Sequence, residues 1–258
     1  MLNTHRIEQA LSQTRRLGKV LYYFEQLDST NSEIFRATHL PEGAVILAEF
    51  QTAGRGRAGK VWHSPMGENL LFSVLLRPAC EPKWLGLLSI MASEAIAETA
   101  EFLTTCTATV KYPNDVYVSG KKLAGVLVET RTQGLRAPTV ALGIGLNVNQ
   151  TAFEGELSER ATSLRLIAQR ELDRAAVLTY LLQCLDARYD EFIQGRAELF
   201  LERWKARCQI IGKEVSFRYA NAELSGKVVA IDEQGCLWIE SNTQRICYAP
   251  TDISYVRY

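Results

Sequence analysis

The chain has 258 residues, 47% hydrophobic and 22% charged, which is enough for one large domain or for a large and a small one. Lys and Arg number 29 and so do Asp and Glu, so global attraction to nucleic acid or to an anionic membrane is not indicated. No apolar run approaches the roughly 20 residues needed to cross a bilayer, and the six scattered cysteines lack the paired spacing of a zinc site. We therefore expect a cytoplasmic protein with reduced cysteines.

Local patterns predict helices and strands up to about residue 210. Apolar residues at helical spacing indicate helices, and short apolar runs bounded by turn residues indicate strands. The predicted helices cover residues 4–17, 32–38, 85–102, 173–194 and 196–207, and the predicted strands cover residues 20–24, 45–50, 69–76, 116–118, 123–130 and 139–148.

The pattern changes after Gly212 to short alternating segments separated by turn residues. Such segments predict a small all-β module of about five strands, at the size where a barrel closes on itself. We place the boundary near residue 211, which divides the chain into domains 1–210 and 211–258. The segments that read as strands are 214–219, 222–232, 236–240 and 245–248.

A loop rich in glycine and cations follows the predicted strand 45–50. Glycine lets backbone N–H groups approach a ligand, and arginine offers a planar fork of donors to phosphate or carboxylate oxygens. The loop is not a Walker A sequence, because Val61 stands where that motif needs a hydroxyl. A solvated surface loop remains the alternative to an anion site. The alternating residues are Gly54, Arg55, Gly56, Arg57, Gly59 and Lys60.

A second cluster joins Lys111, Asn114 and Asp115 to Lys122 and Gly125 across a predicted hairpin. The two lysines can neutralise a phosphate or carboxylate, and Asp115 can orient or deprotonate an amine or help to hold a metal ion. Gly125 within an apolar strand indicates close approach by a ligand or another backbone. A simple charged hairpin is the alternative.

Two further clusters have structural alternatives of their own. Gly143 and Gly145 lie on one face of a predicted strand that ends at Asn147, where they leave room either for a flat ligand or for a tightly packed helix. The segment 28–31, Asp-Ser-Thr-Asn, offers hydroxyl and amide groups at a helix start. It can bind a polar ligand group or simply cap the helix.

In their order and spacing these motifs closely resemble those of a biotin protein ligase. The resemblance runs from about residue 20 to 150 and continues through the β module, which resembles the SH3-like domain of that family. It implies an α+β fold, with a mixed-sheet catalytic domain of the biotin/lipoate ligase type, similar to class II aminoacyl-tRNA synthetases, and a C-terminal SH3-like β-barrel. The motifs are Asp28-Ser29-Thr30-Asn31, Gln51 to Arg57, Trp62, Lys111 to Asp115, Lys122 to Gly125 and Gly143 to Asn147.

The resemblance implies an ATP-dependent enzyme with the substrates biotin and ATP and with Mg²⁺. Such enzymes form biotinyl-5′-AMP and pass the biotinyl group to one lysine of a biotin carboxyl carrier protein or domain. The chain has no room for the DNA-binding domain of members that repress transcription, so we expect a ligase without repressor function and without a nucleic-acid or membrane partner. A homodimer is one open option. The alternatives are a lipoate–protein ligase and a non-catalytic phosphate-binding module.

The resemblance also implies roles for individual residues. Ala58 stands where some members carry another arginine and Tyr112 where many carry tryptophan. No metal ligand is certain, and Asp115 is the candidate for Mg²⁺. Catalysis is implied for Arg57, Lys111, Asp115 and Lys122; substrate binding for Ser29, Thr30, Asn31, Gln51, Gly54, Arg55, Gly56, Arg57, Trp62, Lys122, Gly125, Gly143 and Asn147; and nucleotide binding for Arg55, Arg57, Trp62, Lys111, Asn114, Lys122 and Asn147.

Overall fold

Two β-sheets organise the computed structural model of the protein, which describes residue 7 and residues 11–37, 39–132, 138–220, 222–241 and 244–258. In these ranges the first sheet has seven strands and the second has five. With the helices described below, this confirms the predicted α+β class. Residues 4–6 and 8–10 of the first predicted helix lie outside the described ranges, and Leu11–Gln13 forms only a 3-10 turn.

The first sheet is built from β1 (Leu21–Leu27), β2 (Val45–Gln51), β3 (Leu70–Leu76), β4 (Ala108–Lys111), β5 (Asp115–Val118), β6 (Lys121–Arg131) and β7 (Thr139–Leu146). Its strand order is β1-β2-β3-β7-β6-β5-β4, in which β1 and β2 are parallel and the other described pairs are antiparallel. Every residue of β3 is buried, in keeping with its continuous apolar run. The sheet is therefore mixed, as predicted.

Six α-helices accompany this sheet in the described ranges, and none is long and apolar enough to cross a membrane. The three longest correspond to the predicted helices 85–102, 173–194 and 196–207. The two shortest were not predicted, because four or five residues are too few to show a helical period. The helices are α1 (Thr30–Arg36), α2 (Leu87–Thr104), α3 (Leu157–Arg160), α4 (Leu164–Ala168), α5 (Arg174–Ile193) and α6 (Glu198–Arg207).

A buried ionic cluster joins α2 to α5 and α6 behind the sheet. Glu94 of α2 is fully buried, and Arg188 Nε of α5 donates to its carboxylate at 2.7 Å. Arg203 Nε and Arg207 Nη1 of α6 lie 3.4 Å and 3.6 Å from the other carboxylate oxygen. A buried carboxylate is tolerated only when cations compensate for its lost hydration. The cluster therefore fixes two helices on the third.

The second sheet is antiparallel and has the order β11-β10-β9-β8-β12. Four of its strands match the predicted segments, and the fifth, at the C-terminus, was not among them. The domain boundary near residue 211 remains a prediction. The strands are β8 (Glu214–Tyr219), β9 (Ala222–Ile231), β10 (Leu237–Ser241), β11 (Gln244–Tyr248) and β12 (Ile253–Arg257).

The second sheet is docked against the first unit through the turn between β4 and β5. The buried hydroxyl of Tyr112 donates to the Gly235 carbonyl at 2.9 Å. Burial raises the pKa of Tyr112 well above its ordinary value, so the hydroxyl remains a donor. Pro250 packs against Gly86, where an added Cβ would lie only 3.0 Å from the proline ring. This docking brings β12 to the 3-10 turn Arg57–Gly59 in the glycine–arginine loop.

Candidate functional site

A cavity of about 700 Å³ lies between the glycine–arginine loop, the first sheet and the C-terminal strand β12. Its lining brings together residues that are more than 100 positions apart in the sequence. Gly54 is the one predicted site residue outside the lining. The predicted residues that line the cavity are Ser29, Thr30, Asn31, Gln51, Arg55, Gly56, Arg57, Trp62, Lys111, Asn114, Asp115, Lys122, Gly125, Gly143 and Asn147.

One end of the cavity is a polar cluster at the start of α1. Gln51 Oε1 accepts hydrogen bonds from the Thr30 backbone N–H at 2.7 Å and from the Thr30 hydroxyl at 3.1 Å. Asn31 Nδ2 donates to Glu129 Oε2 at 2.8 Å and to the Leu127 carbonyl at 3.2 Å. Ser73 Oγ lies 2.6 Å from Asn31 Oδ1. These bonds fix the amide groups in position before any ligand binds.

Helix capping does not explain the polar residues of the segment 28–31. Ser29 is the N-cap residue of α1, but its side chain makes no cap hydrogen bond and lines the cavity instead. Asp28 is not part of the lining and forms an ion pair with Arg36, whose guanidinium lowers the pKa of the Asp28 carboxyl. The helix also begins at Thr30, two residues earlier than predicted, so Thr30 and Asn31 project from its first turn.

Glycines form the floor of the cavity because side chains from the opposite wall lie directly over them. A Cβ on Gly143 would lie within 3.0 Å of the Asn31 amide, and a Cβ on Gly145 would lie 2.7 Å from Trp62 Cζ2. A Cβ on Gly125 would lie 3.1 Å from Trp62 Cζ3. The close neighbour of Gly125 is thus a side chain and not the predicted backbone, and Gly143 packs against a helix residue, which was the structural alternative for that cluster. Trp62 Nε1 is buried and has no hydrogen-bond partner among the described residues, so an acceptor on a ligand would satisfy it.

The glycine–arginine loop is folded back on itself. The Gly56 N–H donates to the Lys60 carbonyl at 2.7 Å, and the Trp62 N–H donates to the Gly54 carbonyl at 3.0 Å. A Cβ on Gly54 would lie 2.7 Å from the Trp62 carbonyl oxygen, which explains the glycine at the base of the loop. Gly54 thus shapes the loop without lining the cavity.

Two arginines attach the loop to different parts of the protein. Arg55 Nη2 forms an ion pair with Glu129 at 2.8 Å. Arg57 Nη2 donates to the carbonyls of Pro250 and Ile253 at 2.7 Å and 2.8 Å, and its Nη1 lies 3.3 Å from Asn114 Oδ1. Burial lowers the pKa of the Arg57 guanidinium, although it stays charged. The sequence did not indicate these partners.

The other cations gather around one carboxylate at the start of β5. Lys122 Nζ lies 2.8 Å from Asp115 Oδ2 and 5.5 Å from the centre of the Trp62 ring. Asn114 Nδ2 donates to the other Asp115 oxygen at 3.0 Å. Burial lowers the pKa of Lys111, which Asp115 partly offsets. Positive charges thus outnumber the carboxylate here, and the surplus suits an anionic ligand.

Asn147 closes the cavity near the end of β7. It is buried, and its side-chain Nδ2 donates to the Thr162 carbonyl at 3.0 Å. The backbone N–H of Asn147 donates to the Leu123 carbonyl at 3.1 Å. Its amide nitrogen therefore fixes the chain beside β6, and its predicted part in ligand binding stays a prediction.

Sequence reasoning missed two parts of the lining. The first surrounds α3, where Phe153 and Leu157 are apolar residues four positions apart in a polar segment, which was the available signal. The second is β12, which contributes Tyr255 and Arg257. Nothing in the local sequence of β12 indicates a cavity wall, since it lies almost 200 residues from the loop.

Both units of the chain match known families. Residues 23–149 match the biotin/lipoate A/B protein ligase family, and residues 210–249 match the biotin protein ligase C terminal domain. The first match covers nearly all of the first sheet, and the second covers four of the five strands of the second sheet.

Characterised relatives and solved structures agree with these matches. The bifunctional ligase/repressor BirA of Bacillus subtilis is 34% identical over 233 residues, which is 89% of this chain and 72% of that protein. The biotin–[acetyl-CoA-carboxylase] ligase of Mycobacterium tuberculosis is 32% identical over 90% of this chain and 87% of its own length. The biotin protein ligase of Aquifex aeolicus in complex with biotin and ATP superposes with a TM-score of 0.80 at 30% identity, covering 93% of this chain and 99% of that one. The protein therefore belongs to the biotin protein ligase family.

Proposed function

We propose that the protein activates biotin with ATP to biotinyl-5′-AMP and transfers the biotinyl group to a lysine of a biotin carboxyl carrier domain. The observation that supports this most directly is one cavity with a polar cluster at one end and a surplus of cations at the other, joined by a glycine floor. A ligand with a polar head, a flat ring and an anionic tail suits this arrangement, and biotin has that form. Family membership supports the same reaction.

The polar end would hold the head of biotin. Thr30, Asn31 and Gln51 are already oriented by hydrogen bonds, so binding would lose little side-chain entropy. Gly143 and Gly125 let Asn31 and Trp62 pack closely on the floor, so a side chain at either position would displace residues that we expect to contact biotin. A ligand without matching donors and acceptors would leave polar groups of the protein unpaired in the cavity, and this cost would make the site specific for biotin.

The cationic end would promote adenylate formation. The biotin carboxylate must attack the α-phosphorus of ATP, so two anions approach while charge grows on the phosphate oxygens. The new bond joins the carboxylate oxygen to that phosphorus, and pyrophosphate leaves. We expect Lys122 to contact both anions and Lys111 to add positive charge beside it, since both lysines lie near Asp115 in the cavity. Fixed cations stabilise such a transition state without reorganising.

Transfer to the carrier needs a neutral lysine amine. Its nitrogen would attack the acyl carbon of biotinyl-5′-AMP, AMP would leave, and the nitrogen would lose a proton. Asp115 lies at this end of the cavity and can orient the incoming ammonium and accept its proton. The loop would meanwhile exclude water from the mixed anhydride.

Mg²⁺ is compatible with the residues present, although they would form only part of its coordination shell. Asp115 and Glu156 are the carboxylates that line the cavity in the described part of the chain. Mg²⁺ commonly binds through one or two carboxylates together with substrate phosphates. Asp115 would therefore hold the ion beside ATP, where it would neutralise phosphate charge.

The remaining partners follow from the same proposal. The biotin carboxyl carrier protein is the macromolecular partner, and a homodimer stays open. A cytoplasmic location also stays a prediction, which the six unpaired cysteines support.

The test is pyrophosphate release with ATP and either biotin or lipoate, followed by mass spectrometry of an apo-carrier domain. With ATP present, we expect pyrophosphate release and carrier modification with biotin and neither of them with lipoate. Release with lipoate but not biotin would indicate a lipoate ligase, and release with neither would indicate a non-catalytic phosphate-binding module.

A matched pair of variants tests the role of the cationic end. Lys122→Gln should slow adenylate formation by roughly 10- to 100-fold, as expected for loss of one charge-assisted hydrogen bond. The control is Lys121→Gln, which removes an exposed neighbouring lysine outside the cavity lining. Equal rates for the two variants would contradict the assignment of Lys122.

A further inference from the structure

Tyr255 occupies an irregular position in the C-terminal strand. β12 pairs with β8, but the register shifts between Ser254 and Arg257. Tyr255 lies within this shift and has a φ of 54°, which is unfavourable for a residue with a bulky side chain. β-bulges redirect side chains, and strained backbone persists where the surrounding structure holds it in place. The contacts of the Tyr255 side chain therefore indicate what holds this backbone conformation in place.

The side chain extends from the second sheet to the tip of the glycine–arginine loop. Its hydroxyl donates to the Ala58 carbonyl at 2.9 Å. Lys60 Nζ lies 5.1 Å from the ring centre and the Arg218 guanidinium lies 4.9 Å from it, both within the range of cation–π attraction. Ala58 itself has a φ of 54°, so the loop tip is strained where the tyrosine attaches.

The adjacent loop residue is attached to the same segment. Arg57 donates to the main-chain carbonyls of Pro250 and Ile253, which lie five and two residues before Tyr255 in the chain. Main-chain acceptors keep these positions only while the second sheet is folded and docked. Two consecutive loop residues thus depend on the C-terminal module for their position.

We infer that Tyr255 is a positioning residue that holds the loop tip over the cavity, and that the C-terminal module thereby controls retention of biotinyl-5′-AMP. This inference rests on the proposed function. A loop with three glycines has many open conformations, so ordering it costs entropy. The attachments to the C-terminal module restrict those conformations and keep water from the anhydride. Tyr255 acts through the loop and needs no contact with the reacting atoms.

The test measures release of the intermediate from a Tyr255→Phe variant, which keeps the ring and removes the hydroxyl. Each protein is mixed with radiolabelled biotin and MgATP, freed of excess substrate and chased with unlabelled biotin. We expect biotinyl-5′-AMP to leave about 2- to 12-fold faster than from the unmodified protein, as loss of one neutral hydrogen bond implies. Tyr255→Ala should release it faster still, because the cation–π contacts are lost as well.

Tyr219→Phe is the matched control. Tyr219 is an exposed tyrosine of the same sheet, packs on Tyr248 and does not line the cavity. This variant should retain the intermediate as the unmodified protein does. Trypsin cleavage after Arg55 and Arg57 should be faster for Tyr255→Phe at an unchanged melting temperature, a readout that general destabilisation would not produce.

The positioning role of Tyr255 and the proposed function are tested by different results. Equal release rates for Tyr255→Phe and the unmodified protein would overturn the positioning role and leave the proposed ligase activity intact. Failure of the unmodified protein to form biotinyl-5′-AMP would overturn the proposed function itself.

Discussion

Adding one methyl group to the cavity floor tests the packing of Asn31 on Gly143. In Gly143→Ala the new Cβ would lie 3.0 Å from Asn31 Cγ and closer still to Oδ1, whereas ordinary contact begins at 3.4 Å. β7 backbone is extended at this position, so the substitution is not strained by itself. Asn31 must therefore move away from β7.

The expected loss in unfolding free energy follows from the hydrogen bonds that Asn31 makes. They are the contacts with Ser73 at 2.6 Å, the Leu127 carbonyl at 3.2 Å and the Glu129 carboxylate at 2.8 Å. Losing two neutral bonds at about 1 kcal/mol each and one charge-assisted bond at about 2 kcal/mol gives about 4 kcal/mol. Relaxation should recover part of this, so we expect unfolding to be easier by about 2 kcal/mol. Biotin affinity should fall about tenfold, as loss of one aligned hydrogen bond implies.

Urea denaturation and calorimetric titration with biotin measure both effects in a double-mutant cycle with Asn31→Ala. If the clash with Asn31 is the cause, Gly143→Ala should cost almost nothing in the Asn31→Ala background. Additive losses in unfolding free energy would refute the reasoning, since the methyl group would then act on something other than Asn31.

Three further predictions concern charge. Burial lowers the pKa of Lys111, so the KM for ATP should begin to rise at a lower pH than deprotonation of an exposed lysine would allow. Lys111→Arg should remove that rise, and an unchanged pH profile would exclude Lys111 as its source. Glu94→Ala should lower the free energy of unfolding by about 3 kcal/mol because the buried Arg188 loses its ion pair with Glu94 and keeps only the one with Glu98. Glu81→Ala, which removes an exposed ion pair, should cost less than about 1 kcal/mol in the same urea titration, and similar losses would contradict this account. Partial burial and the nearby Asp232 raise the pKa of Cys247, so this thiol should react slowly with iodoacetamide at neutral pH although the residue is accessible, and faster in Asp232→Asn, as followed by mass spectrometry. No acceleration in that variant would show that the carboxylate does not control the thiol.

The long helices and all strands except β4 and β12 were predictable, because their apolar residues form a continuous run or follow the period of the element. β3 is a continuous apolar run and α2 a long apolar segment, and both form close to where the pattern indicates. The short helices α3 and α4 were not predicted, since tertiary contacts rather than a repeating pattern stabilise so few residues. The helix after β1 begins earlier than predicted because its first polar residues face the cavity instead of capping it.

Within the site, residue type indicated the chemistry but not the partners. The alternation of glycine and arginine predicted an anion-binding loop, and Lys111, Asp115 and Lys122 were expected to share one cleft. The structure places them around one cavity. The attachment of Arg57 to the carbonyls near Pro250 was not predictable, because a main-chain acceptor has no sequence signature.

By itself, the amino-acid sequence determined the family and the C-terminal β module, because these depend on motifs of fixed spacing and on local periodicity, and the resemblance to the family implied the mixed sheet and fifteen residues of the cavity lining. Only the tertiary structure decided which residues the arginines and lysines of the cavity contact. It also decided that Tyr255 contacts the glycine–arginine loop, from which it is almost 200 residues away in the sequence. Hydrogen bonds and ion pairs depend on distance and direction in space. Those quantities are set when the second sheet docks on the first, and no local pattern records them.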